Sequence, residues 1–281
     1  MSIDPTTYLA EIKEWQIEKE EQLRSPDSWL TLVGLNWLTE GRHTVGSDQD
    51  SDVRFPTMTT PEKVGTLTLK DGKVTFKVLE GILATINGNP VLKQVLEPDT
   101  NRSPDIVSVG EIKFNVIKRG DRIGIRMKHT NSPNRVNFPG RNWWLIDQAF
   151  RVEAGIIPYT PKKMVQIPDV LGDVKETAMD CKLNFKLHRQ TFELDAFALP
   201  SGQIYILFHD QSCGKGSYPS GRFLVTEYPE DDKVIIDFNK AHNPPCAFTP
   251  FATCPLPPSQ NYLSISIQVG ERFVSEDGES H

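Results

Sequence analysis

Residues 65–91 read GTLTLKDGKVTFKVLEGILATINGNPV, and their alternation decides the kind of fold. Leu67, Leu69, Val74, Phe76 and Val78 occupy every second position with Thr and Lys between them. That is the period of a strand with one buried face. Asp71-Gly72 and Asn87-Gly88 punctuate the pattern, and both dipeptides suit a type I′ turn, whose two central residues need φ above zero. Alternation on either side of such turns means consecutive hairpins, hence an antiparallel sheet.

The same texture extends outward. Short alternating segments occur at 44–47, 53–55, 106–109, 113–118 and 122–128, then at 174–184, 186–199, 203–208, 221–227, 233–238 and 262–269. The fold class that follows is mainly β, with antiparallel sandwich or barrel units behind an N-terminal helical segment. In that segment Tyr8, Leu9, Ile12, Trp15 and Leu23 share one helical stripe, Asp4 is a natural N-cap and Pro5 a natural first helical residue. The expected division is a helical segment at 1–40, a first β unit at 41–157 and a second at 158–281, the two units being able to share one core. Residues 158–168, with prolines at both ends, read as a linker or crossover, and Trp29 and Trp37 as a packing hub.

Composition narrows the function classes. A net charge of −6, with no run of Lys and Arg longer than a pair, argues against nucleic acid as a partner. No apolar stretch approaches the roughly 18 residues that cross a bilayer, so no membrane partner is expected, and residues 1–24 lack the apolar core of a secretory signal. Four cysteines are too few for a disulfide framework in a chain of 281 residues. A cytoplasmic protein with reduced thiols is the expectation.

The chemistry concentrates near the C-terminus. Residues 237–258 read DFNKAHNPPCAFTPFATCPLPP, too rich in proline for a helix or inner strand and too apolar for a disordered tail. An ordered loop there can aim polar groups, and Asn243-Pro244 or Pro244-Pro245 is a candidate cis bond. If 222–227 and 233–238 form a hairpin, Arg222 lies beside Asp237 as an ion pair or an anion clamp. Three chemistries compete for this region. Thiolate catalysis would use Cys246 or Cys213 with His242 or His209 as base. A zinc site would draw on His209, Cys213, His242, Cys246 and Cys254, although their spacing lacks tight cysteine pairs; no other cofactor is expected. A polar pocket for a small organic molecule would take Arg126, Asp147, Arg222, Asp237, Asn239 and Asn243 as donors and acceptors, with Trp143 as aromatic floor. The catalytic candidates are Asp237, His242 and Cys246. Residues 214–217, GKGS, lack the second Gly and following helix of a phosphate-binding loop and read as a turn.

Five stretches together, SPDSWLTLVGLNWL, GSDQDSDV, NRVNFPGRNWW, YPSGRFL and the proline-rich block, resemble the family known as domain of unknown function 1684. The resemblance spans 15–271 and implies a shared fold without a transferable reaction. Within it, GSDQDSDVRFP, GTLTLKDGKVTFKV and ATINGNPV resemble the opening strands of forkhead-associated domains. Ser47 stands where that family places a phosphothreonine-reading Arg, and no Ser-Xaa-Xaa-His follows Phe55. The likeness therefore implies a β-sandwich without the phosphopeptide function. The expected function is a small-molecule-binding protein with hydrolysis as its candidate reaction, its pocket between the Trp143 region and the C-terminal block. The alternatives are a protein-interaction module using the forkhead-associated-like unit, or a zinc-binding protein.

Overall fold

The computed structural model describes residues 3–274. They form two compact units, one of residues 23–138 and the other of residues up to 22 together with those from 139 onward.

The 23–138 unit is a β-sandwich. One sheet runs in the order Leu32–Trp37, Arg122–His129, Ile112–Arg119, Val107–Val109, Thr85–Ile86, Asn89–Pro90. The other runs Val53–Arg54, Gly41–Gly46, Gly65–Lys70, Lys73–Val78, Lys93–Leu96, antiparallel except for its first pair. The alternating residues of the two sheets meet in one core, where Phe114 lies 5.6 Å from Phe55 and 5.4 Å from Phe76, ring to ring. Both turn dipeptides behave as their chemistry requires: φ is 50° and 73° at Asp71 and Gly72, and 49° and 86° at Asn87 and Gly88. Trp29 and Trp37 form no hub. Trp29 is 40% exposed with the Arg126 guanidinium 5.7 Å above its ring, and Arg122 covers Trp37 at 4.9 Å.

The second unit is built on a six-stranded antiparallel sheet in the order Arg222–Val225, Ile204–Phe208, Gln190–Ala198, Val174–Leu187, Arg151–Pro168, Lys233–Asp237. Leu183, Phe185, Leu194, Ile206, Phe208 and Ile236 fill one cluster on it, and Ile167, Met179, Leu207 and Phe223 a second. Ala252 and Cys254 of the proline-rich block belong to the second, so the block is an ordered cover. The helix Pro5–Arg24 starts as expected, Asp4 Oδ2 accepting the N–H of Thr6 and Thr7, and it buries Tyr8, Ile12 and Leu23.

Four expectations are corrected. Residues 158–168 are the end of the long strand Arg151–Pro168 and not a linker. Beyond Gly155 its one partner strand is Val174–Leu187, and on the other side only isolated bonds remain among the described residues, the Ile156 N–H to the Asp232 carbonyl and the Leu256 N–H to the Pro168 carbonyl, so a proline lacking an N–H breaks no ladder there. Residues 222–227 and 233–238 do not form a hairpin, since Arg222–Val225 and Lys233–Asp237 stand at opposite ends of the strand order. Residues 262–269 form no strand although Leu263, Ile267 and Val269 are buried: backbone bonds to residues 209–211 hold the first part, with a single bridge at Tyr262, and side chains hold the rest. Asp210 Oδ1 accepts the N–H of Ile267 at 3.0 Å, and Arg222 donates to the carbonyls of Ile267 at 2.7 Å and Val269 at 2.5 Å. The peptide bonds at 243–245 are trans; the cis bond among the described residues is Thr160-Pro161.

The hairpin joining Val174–Leu187 to Gln190–Ala198 turns at His188 and Arg189, with φ of 47° and 66°. Arg189 does not favour the left-handed region, which costs roughly 1–2 kcal/mol for a side chain with a Cβ. Arg189→Gly is expected to stabilise the protein by about 0.5–1 kcal/mol, read as a higher urea midpoint at unchanged slope.

Candidate functional site

Glu271 is the centre of the second unit's polar interior. It opens the short strand Glu271–Arg272, which pairs with Asn142–Trp143, and its own N–H donates to the Ala241 carbonyl at 2.8 Å. Gly270 makes this approach feasible. Its φ is 79°, and a Cβ there would stand 2.6 Å from the Ala241 oxygen and 2.7 Å from that of Phe238. Gly270→Ala is expected to cost more than about 1 kcal/mol, measured by denaturant titration, and to disturb the Glu271 carboxyl.

That carboxyl is 1% exposed. Its Oε2 accepts Arg141 Nη1 at 2.6 Å and the Asn243 N–H at 2.7 Å, while Oε1 takes no hydrogen bond among the described residues. Burial raises its pKa to about 7 against the opposing charge of Arg141. The Arg141 side chain is 7% exposed, its backbone N–H donates to Glu20 Oε2, and its Nε is buried without an acceptor. Asn243 Oδ1 is likewise buried without a donor. The helix supplies one wall: Trp15 meets Trp143 edge-on at 5.6 Å and His242 at 6.3 Å, and Lys19 lies 5.6 Å from the Trp15 ring. Burial, helped by Lys19 and Arg141, lowers the His242 pKa to about 3, so its ring is neutral at physiological pH. Lys19 is held below the usual lysine range by burial and then by Arg141.

The predicted residues fall into several places. His242, Asn243 and Trp143 belong to the Glu271 site. Asp237, Asn239 and Asp147 form a second network, in which Tyr8 Oη donates to Asp237 at 2.9 Å and Asn239 Nδ2 donates to Tyr8 Oη and to the Asp147 carbonyl, each at 2.8 Å. Burial raises the Asp237 pKa, but its hydrogen bonds are spent on caps and packing. Arg222 is wholly buried and pairs with Asp210 at 2.8 Å, not with Asp237. Arg126 belongs to the 23–138 unit. The zinc candidates do not assemble: His209 stacks on Tyr262, Cys213 sits in a turn beside Asp210, and Cys254 accepts the Cys246 N–H at 3.2 Å. Among the described residues no three His, Cys, Asp or Glu side chains form a metal-holding group. Cys213 is a poor nucleophile, its thiol pushed to about 11 by burial and by Asp210. Residues 214–217 form the expected turn, Gly214 N–H donating to the Ser217 carbonyl. Glu271 and Arg141 carry the site, yet neither stood among the candidates.

Residues 136–272, which include Arg141, His242, Asn243 and Glu271, match the model of a family described as "Protein of unknown function (DUF1684)". This segment belongs to the DUF1684 family. The match is narrower than the resemblance read from the sequence, and SPDSWLTLVGLNWL and GSDQDSDV lie outside it. The chain is similar to the solution structure of an uncharacterised protein from Haloarcula marismortui, at 28% identity over 50% of this chain and 80% of that one, with a TM-score of 0.42. It is also similar to a forkhead-associated domain solved in a study of phosphothreonine-dependent interactions, at 18% identity over 35% and 96%, TM-score 0.25. A third similarity is to the second forkhead-associated domain of a Mycobacterium tuberculosis ABC transporter, at 20% identity over 32% and 77%, TM-score 0.24. Matches of this extent assign no activity to the DUF1684 segment. No curated protein matches the chain.

Proposed function

We propose that the chain binds a small organic molecule at the Glu271 site and hydrolyses it by general acid–base chemistry. The supporting observation is a buried carboxyl with one oxygen held by Arg141 and Asn243 and the other unbonded, in the unit where Trp15, Trp143 and His242 pack together. In the proposed step, ionised Glu271 takes a proton from water as the water oxygen bonds to an electrophilic carbon. Arg141 steadies the oxyanion, and the proton passes from Glu271 to the leaving group as its bond breaks. A carboxyl that titrates near neutrality is matched to both halves of that transfer.

The proposed partner is thus a small molecule and the proposed compartment the cytoplasm. The four cysteines are unbridged, which suits a reducing environment. No helix among the described residues is long and apolar enough to cross a membrane.

A hydrolase substrate panel on the full chain tests the reading. Glu271→Gln is expected to lower turnover on any hit by about 100-fold or more. Wild-type turnover by this variant would sink it.

A further inference from the structure

Hydrogen bonding in the Glu271 site leaves polar atoms unmatched. Glu271 Oε2 is engaged by Arg141 and Asn243 and Glu20 Oε2 by the Arg141 N–H, while Glu271 Oε1 is open among the described residues. The cationic donors are only partly engaged, Arg141 through its Nη1 on Glu271. Arg141 Nε is buried with no acceptor, and the Lys19 amine has a 3.5 Å hydrogen bond to Gln22. The two cations are close enough that Arg141 depresses the Lys19 pKa, and the same pair lowers that of His242. A buried guanidinium N–H without an acceptor is costly, so the site is electrostatically incomplete as it stands. Lys19 lies against Trp15, which meets Trp143 edge-on, and Arg141 lies 4.9 Å from the Phe248 ring, aromatic surface fit for an apolar body. The unpartnered Asn243 Oδ1 adds an acceptor for a donor on the ligand.

We infer that the ligand of this site is a small organic oxyanion, a carboxylate or a phosphate on an apolar or aromatic body, whose charged oxygens dock on Arg141 and Lys19 while the body packs on Trp15 and Trp143. This rests on the Glu271 site proposed above and names the class of molecule it takes. A guanidinium fork offers a planar oxyanion paired donors, and a neighbouring ammonium adds charge without demanding geometry. A neutral analogue of equal size would bring no charge partner for Lys19 and no charged acceptor for the Arg141 Nε–H.

The test is isothermal titration calorimetry and thermal melting of the full chain with sodium benzoate, phenyl phosphate and neutral benzamide at fixed ionic strength. The expected result is that at least one anion raises the melting temperature and binds at least tenfold more tightly than benzamide. A preference for benzoate assigns the carboxylate, and a preference for phenyl phosphate assigns the phosphate. Lys19→Met is expected to weaken the anion at least tenfold without lowering the melting temperature of the free protein. Arg141→Lys should weaken it too, and if that variant fails to fold, Lys19→Met alone decides. Benzamide binding as tightly as the anions, or Lys19→Met leaving anion affinity unchanged, overturns the oxyanion assignment while the Glu271 reading stands. The absence of binding by any probe overturns it as well, the orphaned atoms then meeting only water. Full turnover by Glu271→Gln is the separate result that removes the proposed function.

Discussion

Arg222→Met is expected to cost about 3–5 kcal/mol of stability, the range for removing one partner of a buried ion pair. Arg222 and Asp210 are both wholly buried and 2.8 Å apart, and Arg222 also holds the carbonyls of Ile267 and Val269. Burial pushes the Asp210 pKa up, but the Arg222 charge and hydrogen bonds from Ser212, Ile267 and Arg222 outweigh it and hold the carboxyl below the usual range. Methionine removes the charge and the Arg222 hydrogen bond from that opposition, leaving those of Ser212 and Ile267, and it takes the donors away from the carbonyls of Ile267 and Val269. The pattern separates a structural arginine from a ligand clamp: urea unfolding should show the loss in the free protein, before any ligand is added. A loss below about 1 kcal/mol, the level of an exposed pair, would mean that water reaches Asp210 and that the pair is no internal strut.

Legibility from the sequence follows the range of the interaction involved. The hairpins at Asp71-Gly72 and Asn87-Gly88 are readable because a type I′ turn is decided by its own two residues. The turn at His188 and Arg189 is not, since its φ values are imposed by the long strands on either side. Prolines in 158–168 looked like a linker because their tolerance on an open strand edge depends on which neighbour is absent, a fact of topology. Arg222 was assigned to Asp237 through a presumed hairpin, whereas its partner Asp210 lies across a turn and is seen only once the sheet order is known. Glu271 carries no sequence signal at all. Its character comes from Arg141, 130 positions away, from Asn243, and from a helix at the other end of the chain. The proline-rich block was correctly legible as ordered, because its composition excludes both regular structure and a solvated tail, but its cysteines face packing and not chemistry.

Between about pH 4.5 and 6.5 the stability of the wild-type protein is expected to be nearly flat, because two neighbouring groups pull in opposite directions. Folded Glu271 keeps until about pH 7 a proton that the unfolded chain gives up at 4.5, so on its own it makes stability fall as pH rises through that window. Unfolded His242 binds a proton below 6.5 that the folded protein refuses until about pH 3, so on its own it makes stability rise with pH up to 6.5. At 1.36 kcal/mol per pH unit the Glu271 effect is about 3 kcal/mol across its full range. That of His242 is of the same order, and partial exposure of the residue keeps its desolvation incomplete. Asp237, raised by burial, pulls in the sense of Glu271 but from its lower starting value of 3.8, and depressed Asp210 acts only below 3.8. Substitution exposes the cancelled terms. Glu271→Gln removes the falling branch and should leave a protein that gains stability from pH 4.5 to 6.5, by about 2 kcal/mol. His242→Phe keeps an aromatic ring against Trp15 and should lose stability over the same interval. Urea titrations at half-unit steps of pH read both slopes, and parallel profiles for the two variants would show that neither group titrates out of its ordinary range.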